Sequence, residues 1–186
     1  QVVVSLGLGA TKADVLKAMR DDDNAVAPRM RFLHCISAYP VPLCDLNLAR
    51  IRAEGLHGFS DHTAAEDSDS LEVGALAVRA GAMIVERHIC LESCKPSNLD
   101  RVVSLGAHQL TEYVKRIRAV EREPVKARAK GKEESAAIGP MPSERSMLKY
   151  RVGVESTESM SRELREYTGP SDGDDLEGHV DHDRSR

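Results

Sequence analysis

His34-Cys35-Ile36-Ser37-Ala38-Tyr39-Pro40, Ser60-Asp61-His62-Thr63 and Glu86-Arg87-His88 are the strings, all within residues 34–88, whose reading decides the fold. Each follows directly on an apolar, strand-like run, at 30–33, 56–59 and 82–85, and each supplies polar groups able to bind a metal, a phosphate or a sugar hydroxyl. Short β-rich runs that alternate with helical segments predict an α/β fold, a parallel sheet with helical crossovers. In such folds ligands collect at the carboxyl ends of the strands. The three strings are therefore expected to converge in space.

Outward from this stretch the alternation continues. Residues 2–5 read as a strand that ends in a turn with Gly7 and Gly9, and Thr11 with Asp14 reads as a capping box opening a helix. A turn of this kind exposes backbone N–H groups at a helix start, a favourable place for a phosphate, although a plain strand-to-helix connection has the same pattern. An acidic breaker at 21–24 precedes the strand 29–35. Asp45 is placed to cap a short helix through Leu46, Leu48 and Ile51 that stops at Gly55, short enough to leave the outer face of the sheet undercovered. The next helix, at about 71–80, uses Gly74, Ala75 and Ala77, which permit close packing on a sheet. The acidic run 66–70 before it is either a solvated loop or a further metal contact. Residues 90–103 read as a loop. Helix 107–122 places Leu110, Tyr113, Val114, Ile117 and Val120 at helical spacing, as core. Residues 123–146 read as a basic and then Gly/Pro-bearing linker, and from Thr168 onward six acids among Gly, Pro and Ser predict disorder.

Composition sets bounds on function. The chain has 186 residues, 41% hydrophobic and 30% charged, with a net charge of −4 and no Trp. That gives no basic footprint and no aromatic stacking platform, so nucleic-acid binding is set aside. No apolar run reaches the roughly 20 residues of a membrane helix, and a cytoplasmic location with no membrane partner is expected. Cys35, Cys44, Cys90 and Cys94 are expected as free thiols. Cys90-x-x-x-Cys94 has the look of half a zinc site but lacks a second pair at suitable spacing. Two histidines at the tips of neighbouring strands, His62 and His88, can share one divalent cation and leave positions for water or substrate. The plain alternative for a strand-end His is a hydrogen-bonded structural residue.

The ordered strings HCxSxYP, SDHT and ERH resemble the sialic acid synthase family, the N-acetylneuraminate synthases and their legionaminate and pseudaminate relatives. Ser5-Leu6-Gly7-Leu8-Gly9-Ala10 is similar to the family's S-T-G-M-A turn, and Asp100 with Ser104-Leu105 resembles its D-x-x-x-S-L segment. The resemblance covers residues 2–122 and implies the C-terminal half, four βα units, of a TIM-type (β/α)8 barrel. It implies the domain order 1–122 partial barrel, 123–146 linker, and 147–186 a degenerate antifreeze-like start or disordered tail. Because the chain begins inside a strand and without Met, an upstream portion is expected to be missing from it.

The resemblance further implies condensation of phosphoenolpyruvate with an N-acetylated aminosugar aldehyde, such as N-acetylmannosamine, to a nine-carbon 2-keto sugar acid with release of phosphate. His62 and His88 would hold Mn or Mg, with Asp61 and Glu86 as their orienters. Ser5 and Ser60 would contact phosphoenolpyruvate, Ser37 stands where many members place Asn and would be a shorter hydrogen-bonding substitute in the substrate site, and Tyr39 and Asp100 would contact the sugar. The acid/base Glu is expected upstream of this chain, and family members are expected as homodimers. Alone, the chain is expected to bind metal weakly and to turn over nothing measurable. Two other readings stay open: a non-catalytic half-barrel serving as a structural or interaction module, and another phosphoenolpyruvate-using aldolase.

Overall fold

A computed structural model describes residues 1–19, 27–95, 97–123 and 139–150. These belong to one compact unit, Gln1–Val152. The breaker at 21–24, most of the linker and nearly all of the 147–186 tail, with His179 and His182, lie outside the described residues.

Four strands, β1 (Val2–Leu6), β2 (Met30–Cys35), β3 (Gly58–Asp61) and β4 (Ile84–Arg87), alternate with four helices, α1 (Lys12–Ala18), α2 (Ala49–Ala53), α3 (Ser70–Arg79) and α4 (Ala107–Glu121). The sheet is parallel throughout and its strands lie in chain order, β1-β2-β3-β4. This is the βα succession expected from the alternation of apolar runs. The capping box at the start of α1 forms as expected, with Thr11 accepting from the Asp14 amide and Asp14 accepting in return.

Alternation along each strand sorts the side chains onto two faces. Leu6, Phe32 and Phe59 pack with Ile36, Ile51, Leu56, Val73 and Ala77 between sheet and helices. The register puts Cys35, Ser60 and Glu86 in one row on the opposite face, because Cys35 pairs with Ser60 and Ser60 with Glu86. Val3, on that same opposite face of β1, is 48% exposed. Two glycines permit the close approaches. A Cβ on Gly58 would lie 1.9 Å from the Ile84 carbonyl oxygen, and one on Gly74 would lie 2.6 Å from the Tyr113 ring, where α3 packs on α4.

Several boundaries differ from expectation. β3 and β4 each end two residues beyond the apolar runs 56–59 and 82–85, so Asp61, Glu86 and Arg87 sit inside strands. Asp45 does not cap α2: the helix follows Leu48, which makes no side-chain cap, while the Asp45 carboxylate accepts the Ser143 amide at 2.9 Å. The short α2 does not leave the sheet bare, since Leu46, Ile51 and Leu56 are buried over Phe32, with Met141 packed against them. Residues 90–103 are not all loop, for Leu99–Val103 forms a 3-10 turn capped by Asn98. Val114 is 42% exposed and not core. The acidic residues 66–69 are exposed.

Candidate functional site

Strand alternation divides each polar string. In Ser60-Asp61-His62 the first and third side chains share the open face of the sheet and the second turns to the helices; in Glu86-Arg87-His88 the division repeats. Ser60, His62, Glu86 and His88 therefore gather on one side, at the carboxyl ends of β3 and β4. Their geometry bears this out: the His62 and His88 ring centres are 5.1 Å apart, nearly edge to face, and the Ser60 hydroxyl donates to Glu86 at 2.6 Å. Tyr39, from the loop after β2, stacks on His62 with centres 4.2 Å apart and meets His88 edge-on at 5.8 Å.

The His62 tautomer follows from its partners. Nδ1 lies 2.9 Å from the Ile36 carbonyl oxygen, which can only accept, so Nδ1 carries the proton and Nε2 keeps its lone pair. The Tyr39 hydroxyl, 3.1 Å from Nε2, then donates to it. Burial above all, with His88 adding to it, pushes the His62 imidazolium below its ordinary range, which favours the neutral, ligating form. Burial also raises the Tyr39 phenol, helped by nearby Cys35, Asp100 and Glu86, so the hydroxyl keeps its proton. His88 turns Nδ1 toward the Asp100 carboxylate at 3.9 Å.

The separation of the two rings is one that a pair of imidazoles on a shared divalent cation would take. An imidazole nitrogen ligates at about 2.1 Å, which puts the ring centre about 3.2 Å from the ion, and two rings meeting it at about 90–110° lie about 4.5–5.2 Å apart. The observed 5.1 Å falls within that span. The donor set is two imidazoles: among the described residues no group of three His, Cys, Asp or Glu side chains could hold a metal. Cys90 and Cys94 belong to no such group.

Other expected residues are placed differently. Asp61 is fully buried on the helix side, where it pairs with Arg87 at 2.6 Å, accepts the Thr63 amide and hydroxyl, and accepts the Tyr113 hydroxyl from α4 at 2.8 Å. No hydrogen bond links it to His62, and the orienting acceptor is the Ile36 carbonyl. Asp100 is 55% exposed at its side chain, and its carboxylate lies 3.9 Å from His88 Nδ1, beyond hydrogen-bond distance. Ser5 is exposed on β1, whose register with β2 sets it beside Leu33, and Ser37 follows β2, one turn of chain from Tyr39. His34 points into the core, its Nε2 2.9 Å from the Leu46 carbonyl, and burial pushes its pKa down to about 4. Burial raises the Cys35 thiol to about 12, which leaves it no nucleophile at neutral pH. A hollow of about 730 Å³ bounded by Ala65, Glu66, Cys90 and Gln109 takes in none of the expected site residues.

Two participants were missed. Tyr113 was read as core alone, and nothing in helical spacing marks its hydroxyl as a partner of Asp61. Glu144, in a stretch read as linker, is 1% exposed and accepts the amides of Leu8 at 2.6 Å and Ser37 at 2.7 Å. An acceptor for backbone N–H groups more than a hundred residues away leaves no sequence signal.

Comparison with known proteins bears on what this arrangement belongs to. The chain is 33% identical over 125 residues to human N-acetylneuraminate-9-phosphate synthase, covering 65% of this chain and 33% of that protein. It is 31% identical over 121 residues to the spore coat polysaccharide biosynthesis protein SpsE of Bacillus subtilis, 62% of this chain and 31% of that one. The crystal structure of that Bacillus subtilis protein superposes with a TM-score of 0.51 at 26% identity, covering 73% of this chain and 40% of the other. The chain thus spans about a third of the length of the two relatives. A sequence model of the NeuB family matches residues 1–128, which include every one of the strings from Ser5 to Asp100, and the chain accordingly belongs to the NeuB, or sialic acid synthase, family.

Proposed function

We propose that this chain supplies part of the metal and substrate site of a synthase that condenses phosphoenolpyruvate with an N-acetylated aminosugar aldehyde, such as N-acetylmannosamine. The observation that carries the reading is the approach of His62 and His88 to 5.1 Å, with the proton of His62 held on Nδ1 by the Ile36 carbonyl so that the Nε2 lone pair, which now accepts from the Tyr39 hydroxyl, is turned to the open face. Family membership over residues 1–128 and the names of two relatives, for N-acetylneuraminate 9-phosphate and legionaminic acid synthesis, support the reaction class.

In the proposed reaction carbon 3 of the enol attacks the aldehyde carbon, water adds to carbon 2, and phosphate leaves. His62 and His88 would hold Mn or Mg, which when bound polarises the aldehyde oxygen and keeps the two reactants at reacting distance. Ser60, oriented by its donation to Glu86, offers its oxygen on the open face; Ser5 stands near the end of β1 for phosphoenolpyruvate, and Ser37 after β2 for the substrate site. Tyr39, whose ring lies on His62, offers a protonated hydroxyl to the sugar. Asp100, beside His88 after β4, would reach the same sugar. In the whole synthase a homodimer and a cytoplasmic setting accompany this proposal, and among the described residues no helix is long and apolar enough to cross a membrane.

The test is Mn²⁺ titration of the 186-residue chain followed by electron paramagnetic resonance. Weak binding of one ion, lost in His62→Ala and in His88→Ala, is the expected outcome; equal Mn²⁺ uptake by wild type and both variants overturns it. Phosphate release from phosphoenolpyruvate and N-acetylmannosamine by the chain alone is expected to stay at background. A second reading rests on the sheet: among the described residues β1 and β4 each pair on one side only, which suits a half-barrel that docks on another chain. Full Mn²⁺ insensitivity together with a stable complex in solution would favour it.

A further inference from the structure

Glu144 is a carboxylate at 1% exposure, and its place in the fold is unusual for a residue of the segment after α4. Burying a charged group is costly unless hydrogen bonds replace its water. Here three backbone amides do so. Oε1 accepts from Leu8 at 2.6 Å and from Ser37 at 2.7 Å, and Oε2 accepts from Met141 at 3.0 Å. The first two amides belong to the loops that leave β1 and β2; the proposed substrate residues Ser37 and Tyr39 lie in the second, and Ser5 lies near the end of β1. Among the described residues no Lys or Arg forms an ion pair with it.

The Ser37 amide is one end of a planar unit whose other end is the Ile36 carbonyl. That carbonyl is the acceptor for His62 Nδ1 at 2.9 Å. A single peptide plane therefore stands between the Glu144 carboxylate and the His62 ring: carboxylate to N–H on one side, C=O to Nδ1–H on the other. Hydrogen bonds in series polarise one another, by about 10–30% per bond, so an anion on the N–H makes the carbonyl a better acceptor. The Ile36–Ser37 unit also lies beyond Cys35, the last residue of β2 paired with β3, so its orientation is set by these contacts rather than by the ladder. In metal sites a carboxylate or carbonyl on the far nitrogen of a ligating His fixes its tautomer and raises its basicity. Here a peptide stands as the spacer between the carboxylate and the ring.

We propose that Glu144 is a positioning residue for His62, holding the Ile36–Ser37 peptide so that its carbonyl keeps the proton on Nδ1 and leaves Nε2 as the ligating atom. Its consequence for metal affinity rests on the function proposed above; its consequence for the tautomer does not. The segment 139–150 is then a working part of the site, since its carboxylate ties two strand-end loops together from outside the βα succession.

The experiment uses the full 186-residue chain with ¹⁵N-labelled histidine and long-range ¹H–¹⁵N correlation at neutral pH, without metal. Wild-type His62 is expected as the Nδ1–H tautomer. Glu144→Gln keeps an acceptor but removes the charge, and is expected to raise the Nε2–H population several-fold and to weaken Mn²⁺ binding about 10-fold. Tyr39→Phe tests the competing explanation, that the phenol donating to Nε2 selects the tautomer; the Nδ1–H form is expected to persist there. An Nε2–H wild type, a folded Glu144→Gln chain with the wild-type tautomer, or a switch in Tyr39→Phe would each overturn the proposal. The wild-type and Tyr39→Phe spectra can still overturn it if Glu144→Gln fails to fold. A tautomer that follows Glu144 in a chain that binds no Mn²⁺ would uphold this inference while refuting the metal site.

Discussion

Asp61→Asn is the most informative perturbation of the fold, because the pair it disturbs holds β3, β4 and α4 together. The Asp61 and Arg87 side chains are 0% and 3% exposed and 2.6 Å apart. Arg87 also donates to the Thr63 hydroxyl at 2.8 Å and carbonyl at 2.9 Å, and Tyr113 donates to Asp61 at 2.8 Å. Asn can keep its oxygen toward Thr63 and Arg87 and turn its amide to the Tyr113 hydroxyl, which can accept instead, so shape and most hydrogen bonds survive. What is lost is the charge, and Arg87 is left buried without a counterion. Breaking a buried pair from one side costs about 3–5 kcal/mol, and the Thr63 contacts put the expected value near about 3 kcal/mol. Removing the stranded charge as well, in Asp61→Asn with Arg87→Met, is expected to return about 2 kcal/mol of that loss. Urea denaturation of Asp61→Asn, Arg87→Met and the double variant, followed by far-ultraviolet circular dichroism, measures both numbers. Asp61→Asn within about 1 kcal/mol of wild type, or strictly additive effects in the double variant, would refute the reasoning.

His34 makes stability depend on pH. In the fold it stays neutral down to about pH 4, whereas the unfolded chain takes up a proton near 6.5, so the unfolded state binds more protons between these values. Stability is expected to be full above pH 6.5, to fall by about 3 kcal/mol as pH drops to 4, and to level below it. Urea midpoints at pH 7 and 4.5 check this, and a His34→Gln chain with the same slope would contradict it. Gly58→Ala sets a Cβ 1.9 Å from a backbone oxygen that cannot turn aside, so β3 and β4 must part. The expected loss is about 3 kcal/mol, at the upper end for overpacking, and an unchanged urea midpoint would show that the strands can yield.

How much of this was legible beforehand depends on the range of the interaction. The parallel α/β order and the meeting of His62 with His88 follow from apolar runs that end in polar strings, a local pattern with a geometric consequence. Helix α1 was readable for the same reason, since its capping box lies within four residues. The strand limits were off by one or two residues, because apolar runs do not show where a ladder stops pairing. That shift hides little for His62 but much for Asp61. Read as an orienter of His62 by adjacency, it faces the other way once alternation along a strand is applied.

The sequence by itself therefore determined the family, the βα succession and the imidazole pair, all of which depend on short-range pattern and strand direction. Only the tertiary structure decided which groups stand behind that pair. The Ile36 carbonyl on His62, Tyr113 on Asp61 and Glu144 on Ser37 are matched across 26, 52 and 107 residues of chain. Such matches are between single donors and acceptors, many of them backbone, and any residue offers a backbone amide and carbonyl. Their identity is set by where packing brings the chain, not by which residue type occupies the position.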